Sequence, residues 1–268
     1  MNRLTNTLKS LFLSALNSTF PPVRLLFSET SIIIPPDGFG AVEENLAYNI
    51  YFKRNEISSA DTIIDLGAHV GTFTIWTVIN AKKGAKIIAV EPDKENYSTL
   101  LQNLDMYKQL IENREIRVIP INKAVWHRSG KVKLKPSTWS EAHQVSNSGT
   151  EEVEAITLDE LLNQAKGTTL IKMDIEGAET KVLESSHRLD QVSAISVEAH
   201  SNEDTVREIL LSRGFKVETH IYKIGADLLH YWVKAKPRPY TSLIAIYRLI
   251  ASHIGKPTVT IIKAKRNS

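Results

Sequence analysis

Thr62-Ile63-Ile64-Asp65-Leu66-Gly67-Ala68-His69-Val70-Gly71 reads as a buried strand that runs into a glycine-flanked turn, and Thr72–Asn80 is expected to continue as a helix. A short isoleucine-rich run closed by glycine fits a strand covered on both faces. Glycines at a strand end let the backbone approach a ligand closely, and the free amides of a following helix attract a negative group. Strands and helices alternate outward from this stretch. Strands are expected at Lys86–Val90 and residues 117–120, 170–174, 194–198 and 215–219, with helices at 95–107, 158–165, 178–186 and 205–213 between them. Residues 153–156 read as an edge strand. The alternation predicts an α/β fold, a doubly wound and mostly parallel sheet. A last strand at 258–264 follows 215–219 without a crossover motif. It is therefore expected to pair antiparallel, across a connection widened by an insertion at about 221–257.

Composition bounds the function. The chain has 268 residues, 42% apolar and 24% charged, which allows a sizeable core in one domain or a domain with an added segment. Its 33 basic and 30 acidic residues give +3, too balanced to argue for a nucleic-acid partner. There is no cysteine, which excludes disulfides, cysteine-zinc sites and thiol catalysis and suits a reducing, cytoplasmic setting. No apolar run approaches the roughly 18 residues of a membrane span. Leu4, Leu8, Leu11, Phe12, Ala15 and Leu16 recur at helical spacing until Pro21-Pro22. The apolar core is short and no small-residue cleavage motif follows, so this segment is expected as a helix packed on the body or on a second subunit, which makes a homodimer a candidate assembly. Residues 1–60 read as an extension that caps the body. Within it, Ser31-Ile32-Ile33-Ile34 is a short strand closed by the turn Pro35-Pro36-Asp37-Gly38, and residues 42–56 look helical.

Glu91 ends the second strand, about twenty residues beyond Gly71. In a doubly wound sheet a carboxylate there accepts hydrogen bonds from ribose hydroxyls, and ligands bind outside the carboxyl ends of the strands. A dinucleotide fingerprint would read Gly-x-Gly-x-x-Gly. Gly67-Ala68-His69-Val70-Gly71 lacks the middle glycine that admits a pyrophosphate, which disfavours an NAD-dependent dehydrogenase. A third segment, Lys172-Met173-Asp174-Ile175-Glu176-Gly177-Ala178-Glu179, sets three carboxylates behind the apolar run Thr169-Leu170-Ile171. Its residues alone allow a catalytic cluster, a metal site or a helix start favoured by the dipole. His200 is by itself an ordinary core or surface histidine.

Together these segments resemble the FkbM-type methyltransferases of the class I S-adenosylmethionine superfamily. Residues 65–74 are similar to the family's Asp-x-Gly-Ala-Asn-x-Gly-x-Phe-Thr opening and depart from it at His69. Val90-Glu91-Pro92 resembles its ribose-binding strand end, and Asn122-Lys123-Ala124-Val125 with Ser129-Gly130 the segment near adenine. Lys172–Glu179 matches the hallmark Lys-x-Asp-x-Glu-Gly-Ala-Glu at every fixed position, and Val197-Glu198-Ala199-His200 with residues 210–217 fits the last strands and helix. The likeness covers about residues 60–220.

The resemblance implies a seven-stranded Rossmann-like sheet with an antiparallel last strand, a methyltransferase domain over 61–268, and S-adenosylmethionine as cofactor. It implies that Gly67, Ala68, His69 and Gly71 wrap the methionine part with Asp65 near its ammonium group. Glu91 and Pro92 would then take the ribose, Asn122 the adenine, and Asp174 would face the sulfonium. The implied reaction is in-line transfer of methyl to a hydroxyl of a small molecule, sugar or lipid, with Asp174 or His200 as base. Asp174 and Glu198 could share an oxygen-coordinated Mg²⁺, but the asparagine that follows the second acid in metal-dependent relatives is Ala199 here, so no metal is expected. A non-catalytic scaffold of the same fold is the alternative outside enzymes. Trp139, His143, Tyr222, Tyr231 and Trp232 are candidates for the acceptor pocket, Trp139 and His143 within the segment 137–150.

Overall fold

The computed structural model describes residues 23–27, 30–35, 38–135, 144–145, 149–200, 202–223 and 258–266. Near the N-terminus, β1 (Val23–Phe27) and β2 (Thr30–Ile34) pair antiparallel. Further strands are β3 (Thr62–Leu66), β4 (Lys86–Val90), β5 (Arg117–Ile121), β6 (Ala124–Val125), β7 (Gly130–Lys135), β8 (Gln144–Val145), β9 (Glu151–Ile156), β10 (Thr169–Met173), β11 (Ala194–Glu198), β12 (Lys216–Lys223) and β13 (Thr258–Lys265). Seven of them form the main sheet, in the order β12-β13-β11-β10-β3-β4-β5. The five from β5 to β11 run parallel, and β13 is antiparallel to both its neighbours. This is the doubly wound, mostly parallel sheet with an antiparallel last strand that the sequence predicts.

The two-residue period of a strand divides the core into two layers. Ile63 of β3 and Ile87 and Ala89 of β4 pack into one cluster, with Phe73, Ile75 and Val78 of the helix Thr72–Asn80. Ile64, Leu66, Ile88 and Val90 face the other, with Leu161, Val182 and Leu210 from helices on the opposite side. The chain winds outward in one direction from β3 and in the other from β10, so the order reverses between them. Ligands bind such sheets at this switch point, outside the carboxyl ends of the strands.

Several expected elements differ in the structure. The single helix expected over 42–56 is broken into a helical turn Phe39–Val42, a π-helical stretch Glu43–Tyr48 and a separate helix Arg54–Ser59. Asn49 ends the π stretch in the left-handed region (φ 48°), which asparagine tolerates better than most residues. The break turns Ile50, Tyr51 and Phe52 into the core. The expected edge strand at 153–156 lies instead inside a second sheet of order β6-β9-β7-β8. Ala124, Val153 and Leu134 form a small core there, while Lys131 and Glu152 pair at 2.6 Å on the exposed face. The expected N-terminal helix, most of the insertion at about 221–257, and Trp139, His143, Tyr231 and Trp232 lie outside the described residues.

β2 is stitched to the body by side chains rather than by the main sheet. Asn103, in the helix Lys94–Met106, accepts from Ile33 N (2.7 Å) and donates to Ile33 O (2.9 Å) and Val70 O (2.7 Å). Tyr107 adds two hydrogen bonds to Ser31. Asn103 is fully buried, so its loss strands polar groups that water cannot reach. Asn103→Ala is expected to lower unfolding free energy by about 2–4 kcal/mol in urea denaturation.

Candidate active site

The turn after β3 is built from backbone. Gly67 N and Ala68 N donate to Val90 O at 3.0 and 2.9 Å, which locks the loop to the end of β4. Gly67 has φ 75°, and a Cβ on it would stand 1.7 Å from Asp174 O. No side chain can occupy that place, so two strand ends meet there at backbone distance. His69, at φ 51°, turns its amide to Glu91 Oε2 (2.8 Å). Asp93 N donates to Glu91 Oε1 (2.9 Å), so both carboxylate oxygens are oriented by main chain.

Beneath the turn lies a buried charge cluster. Lys172 extends from β10, where its register partner on β3 is Asp65. Its ammonium donates to Gly67 O (2.6 Å) and stands 3.5 Å from Asp65 Oδ1 and 3.4 Å from Asp174 Oδ2. Thr74 Oγ1 donates to the other Asp65 oxygen (2.5 Å). Burial alone would lower the lysine's pKa, but the charges of Asp174 and Asp65 outweigh it and raise it further. Burial raises the pKa of Asp65, against the pull of Lys172 and Thr74.

The crevice above is lined by Gly67, Ala68, His69, Glu91, Pro92 and Asp174, all six predicted from sequence. Ala124, Val125, Leu134 and Val145 add an apolar wall from the second sheet, and Ala41, Glu44 and Asn45 close it from the N-terminal segment. Three predicted residues stand behind it instead. Asp65 is fully buried and bound to Lys172 and Thr74, so its side chain is not offered to a ligand in this geometry. Gly71 packs its backbone against Leu100, and Asn122 Nδ2 donates to Glu91 O and Pro92 O, holding the chain beyond β4. Tyr222 lies on the edge strand β12 beside His220 and Lys263, not among the lining residues.

At one end the crevice is acidic. His200 stands among four carboxylates: Nε2 is 3.5 Å from Glu176, 3.6 Å from Glu198 and 3.7 Å from Asp174, and Nδ1 is 3.4 Å from Glu179. Burial would lower the imidazole's pKa, yet Glu179 and the charges of Asp174, Glu176 and Glu198 hold it up to about 10. Burial, with neighbouring acids, pushes Glu176 and Glu198 up to about 7. Glu179 Oε1 accepts from Ile175 N and Gly177 N at 3.3 and 3.0 Å, bracing the loop before the helix Glu179–Ser185.

Tyr51 is the residue that sequence reasoning missed. Its hydroxyl donates to Glu198 Oε2 (2.5 Å) and lies 3.3 Å from Asp174 Oδ2. Burial, then the two acids, raises its pKa well above the usual phenol value. No local signal marks it, since it sits where a continuous helix was expected. Lys172 did carry a signal, a lysine inside the apolar run of a buried strand.

A family model for the FkbM methyltransferase domain matches residues 65–217, more than half of the chain. No curated protein matches it. Among solved structures, it is similar to a methyltransferase FkbM from Methylobacillus flagellatus KT (15% identity, TM-score 0.46), over 80% of this chain and 55% of that one. The chain thus spans about half the length of that protein. It is also similar to a precorrin-6y C5,15-methyltransferase from Geobacter metallireducens (14%, 0.41), over 80% and 86%. A third is a tRNA (uracil-54, C5)-methyltransferase from Pyrococcus abyssi (11%, 0.42), over 91% and 44%. At these identities the likeness is one of fold alone.

Lys172→Met leaves Asp65 buried without its cation. It is expected to cost about 3–5 kcal/mol of stability, measured by chemical denaturation.

Proposed function

The chain belongs to the FkbM methyltransferase family, and from that premise we propose that it transfers methyl from S-adenosylmethionine to a hydroxyl oxygen of a small-molecule, sugar or lipid acceptor. The observation that carries this proposal is one crevice with a backbone cradle and an oriented carboxylate on one side and clustered acids on the other. These residues fit the cofactor. The close approach at Gly67 leaves room only for backbone, and the acids suit a cationic donor. When bound, S-adenosylmethionine supplies an electrophilic methyl group on a positively charged sulfur.

In this proposal Glu91, braced by the amides of His69 and Asp93, accepts hydrogen bonds from the ribose. The backbone of residues 67–72 holds the methionine part. Pro92, Ala124, Val125, Leu134 and Val145 give the adenine an apolar seat, while Asn122 positions the chain beneath it. Asp65 acts through Lys172 rather than by touching the ammonium group. Asp174 presents negative charge to the sulfonium, a favourable interaction in a partly buried site. Glu176, which lines the crevice beside Asp174, is placed to take the hydroxyl proton. His200 stands among these acids and spaces them. The catalytic domain of this proposal covers residues 61–268, and the 1–60 extension contributes Ala41, Glu44 and Asn45 as its cap.

The acidic end also bears on the acceptor. Carboxylates repel phosphate groups, so a neutral or cationic hydroxyl compound suits it better than a polyphosphate chain. Among the described residues no helix is long and apolar enough to cross a membrane.

Calorimetry with S-adenosylhomocysteine tests the cofactor. Wild-type protein is expected to bind it, and Glu91→Ala to weaken binding about 10- to 100-fold; no binding to the wild type would overturn the proposal. In a radiolabelled methyl-transfer screen, uncharged or amine-bearing hydroxyl acceptors are expected to be labelled in preference to phosphorylated ones of similar size. Cofactor binding with every cellular methylation product unchanged in Asp174→Asn would favour a scaffold.

A further inference from the structure

Three side chains at the acidic end bring ligand atoms close together. Asp174 follows β10, Glu198 ends β11 and His200 comes two residues later. One oxygen from each acid and one imidazole nitrogen lie within 4.8 Å of one another. His200 Nε2 is 3.7 Å from Asp174 Oδ1 and 3.6 Å from Glu198 Oε1, with Glu176 Oε1 at 3.5 Å. These separations exceed ordinary N–H···O hydrogen bonds of about 2.7–3.2 Å. The 3.5 and 3.6 Å separations fall on the edges of a coordination polyhedron and the 3.7 Å one lies just beyond, because nitrogen and oxygen ligands at about 2.0–2.2 Å from a tetrahedral ion stand about 3.3–3.6 Å apart.

An independent observation is how the same side chains are held from behind. Glu198 Oε2 accepts from Tyr51, and Asp174 Oδ2 faces the Lys172 ammonium at 3.4 Å. His200 Nδ1 stands 3.4 Å from Glu179 Oε1, which the amides of Ile175 and Gly177 fix in turn. Each side chain is braced through its outer atom, so Asp174 Oδ1, Glu198 Oε1 and His200 Nε2 are turned towards one another. Metal-binding histidines characteristically give their second nitrogen to a carboxylate, and ligating carboxylates are themselves hydrogen-bonded. Ala199 argued against a metal at the level of sequence, and the imidazole one position later supplies the third ligand that reasoning lacked.

We propose that Asp174, Glu198 and His200 form a site for one divalent first-row transition ion, such as Mn²⁺, Fe²⁺ or Zn²⁺. A nitrogen ligand beside two carboxylates favours these ions over Mg²⁺ and Ca²⁺, which prefer all-oxygen sets. The site's use rests on the methyltransferase reading above. There the ion faces the acceptor, and it selects compounds with two neighbouring oxygens that can fill its open positions.

The full-length protein is titrated with MnCl₂, free Mn²⁺ being read by electron paramagnetic resonance, and with ZnCl₂ by equilibrium dialysis. One ion per chain is expected. Glu198→Gln and His200→Ala should abolish stoichiometric binding, while Tyr51→Phe and Glu179→Gln, which touch only the outer atoms, should weaken it about 10- to 100-fold. His220→Ala, which alters an exposed imidazole beside Glu218, should leave it unchanged. Thermal melts confirm folding. If Glu198→Gln unfolds, His200→Ala decides, since that side chain is about a quarter exposed (26%). Failure of the wild type to bind either ion, or binding that survives in the folded ligand variants, overturns the site. Calorimetry with S-adenosylhomocysteine separates the two proposals. Metal binding without it would leave the site standing and overturn the cofactor assignment, and the reverse result would do the opposite.

Discussion

The Lys172 ammonium is the interaction on which the rest of the site depends. It is buried between Asp65 of β3 and Asp174 beyond β10, and it holds the carbonyl of Gly67. Those groups belong to the two strands on either side of the point where the sheet order reverses. A desolvated cation there is costly on its own, and it is tolerated because acids and a carbonyl surround it. In return it fixes the two strand ends relative to each other, which lets the glycine turn and Asp174 face one crevice.

That arrangement separates residues that touch the crevice from residues that shape it. Asp65, Asn122 and Glu179 all fall in the motif segments, yet each is held by its neighbours: Asp65 by Lys172 and Thr74, Asn122 by backbone, and Glu179 by backbone and His200. Gly67, Glu91 and Asp174 present themselves to the opening. Motif letters are alike for both groups, because a loop that must be held in one shape constrains its supports as tightly as its contacts.

How far the chain could be read from its letters follows the same logic. β3, β4 and β10 were legible because burial on both faces writes a continuous apolar run, and the crevice followed because ligands sit at carboxyl ends. β7 was not, because its alternating lysines resemble a solvated loop until Val132 and Leu134 are seen packing on β9. Tyr51 was hidden by one residue: Asn49 adopts a left-handed conformation that no helical periodicity announces. The surroundings of the imidazole at 200 are not legible in the letters, since only the fold brings the acids of residues 174–179 against Glu198 and His200.

Tyr51 has a bearing on where the working unit of this protein starts. The family match opens at residue 65, and the phenol that joins Asp174 to Glu198 lies fourteen positions earlier in the chain. A segment outside the matched residues thus supplies a strut inside the acidic end of the crevice. The boundary drawn by resemblance and the boundary of the chemistry are different lines. Replacing the chain before residue 65 would part these two acids from the hydroxyl that spaces them.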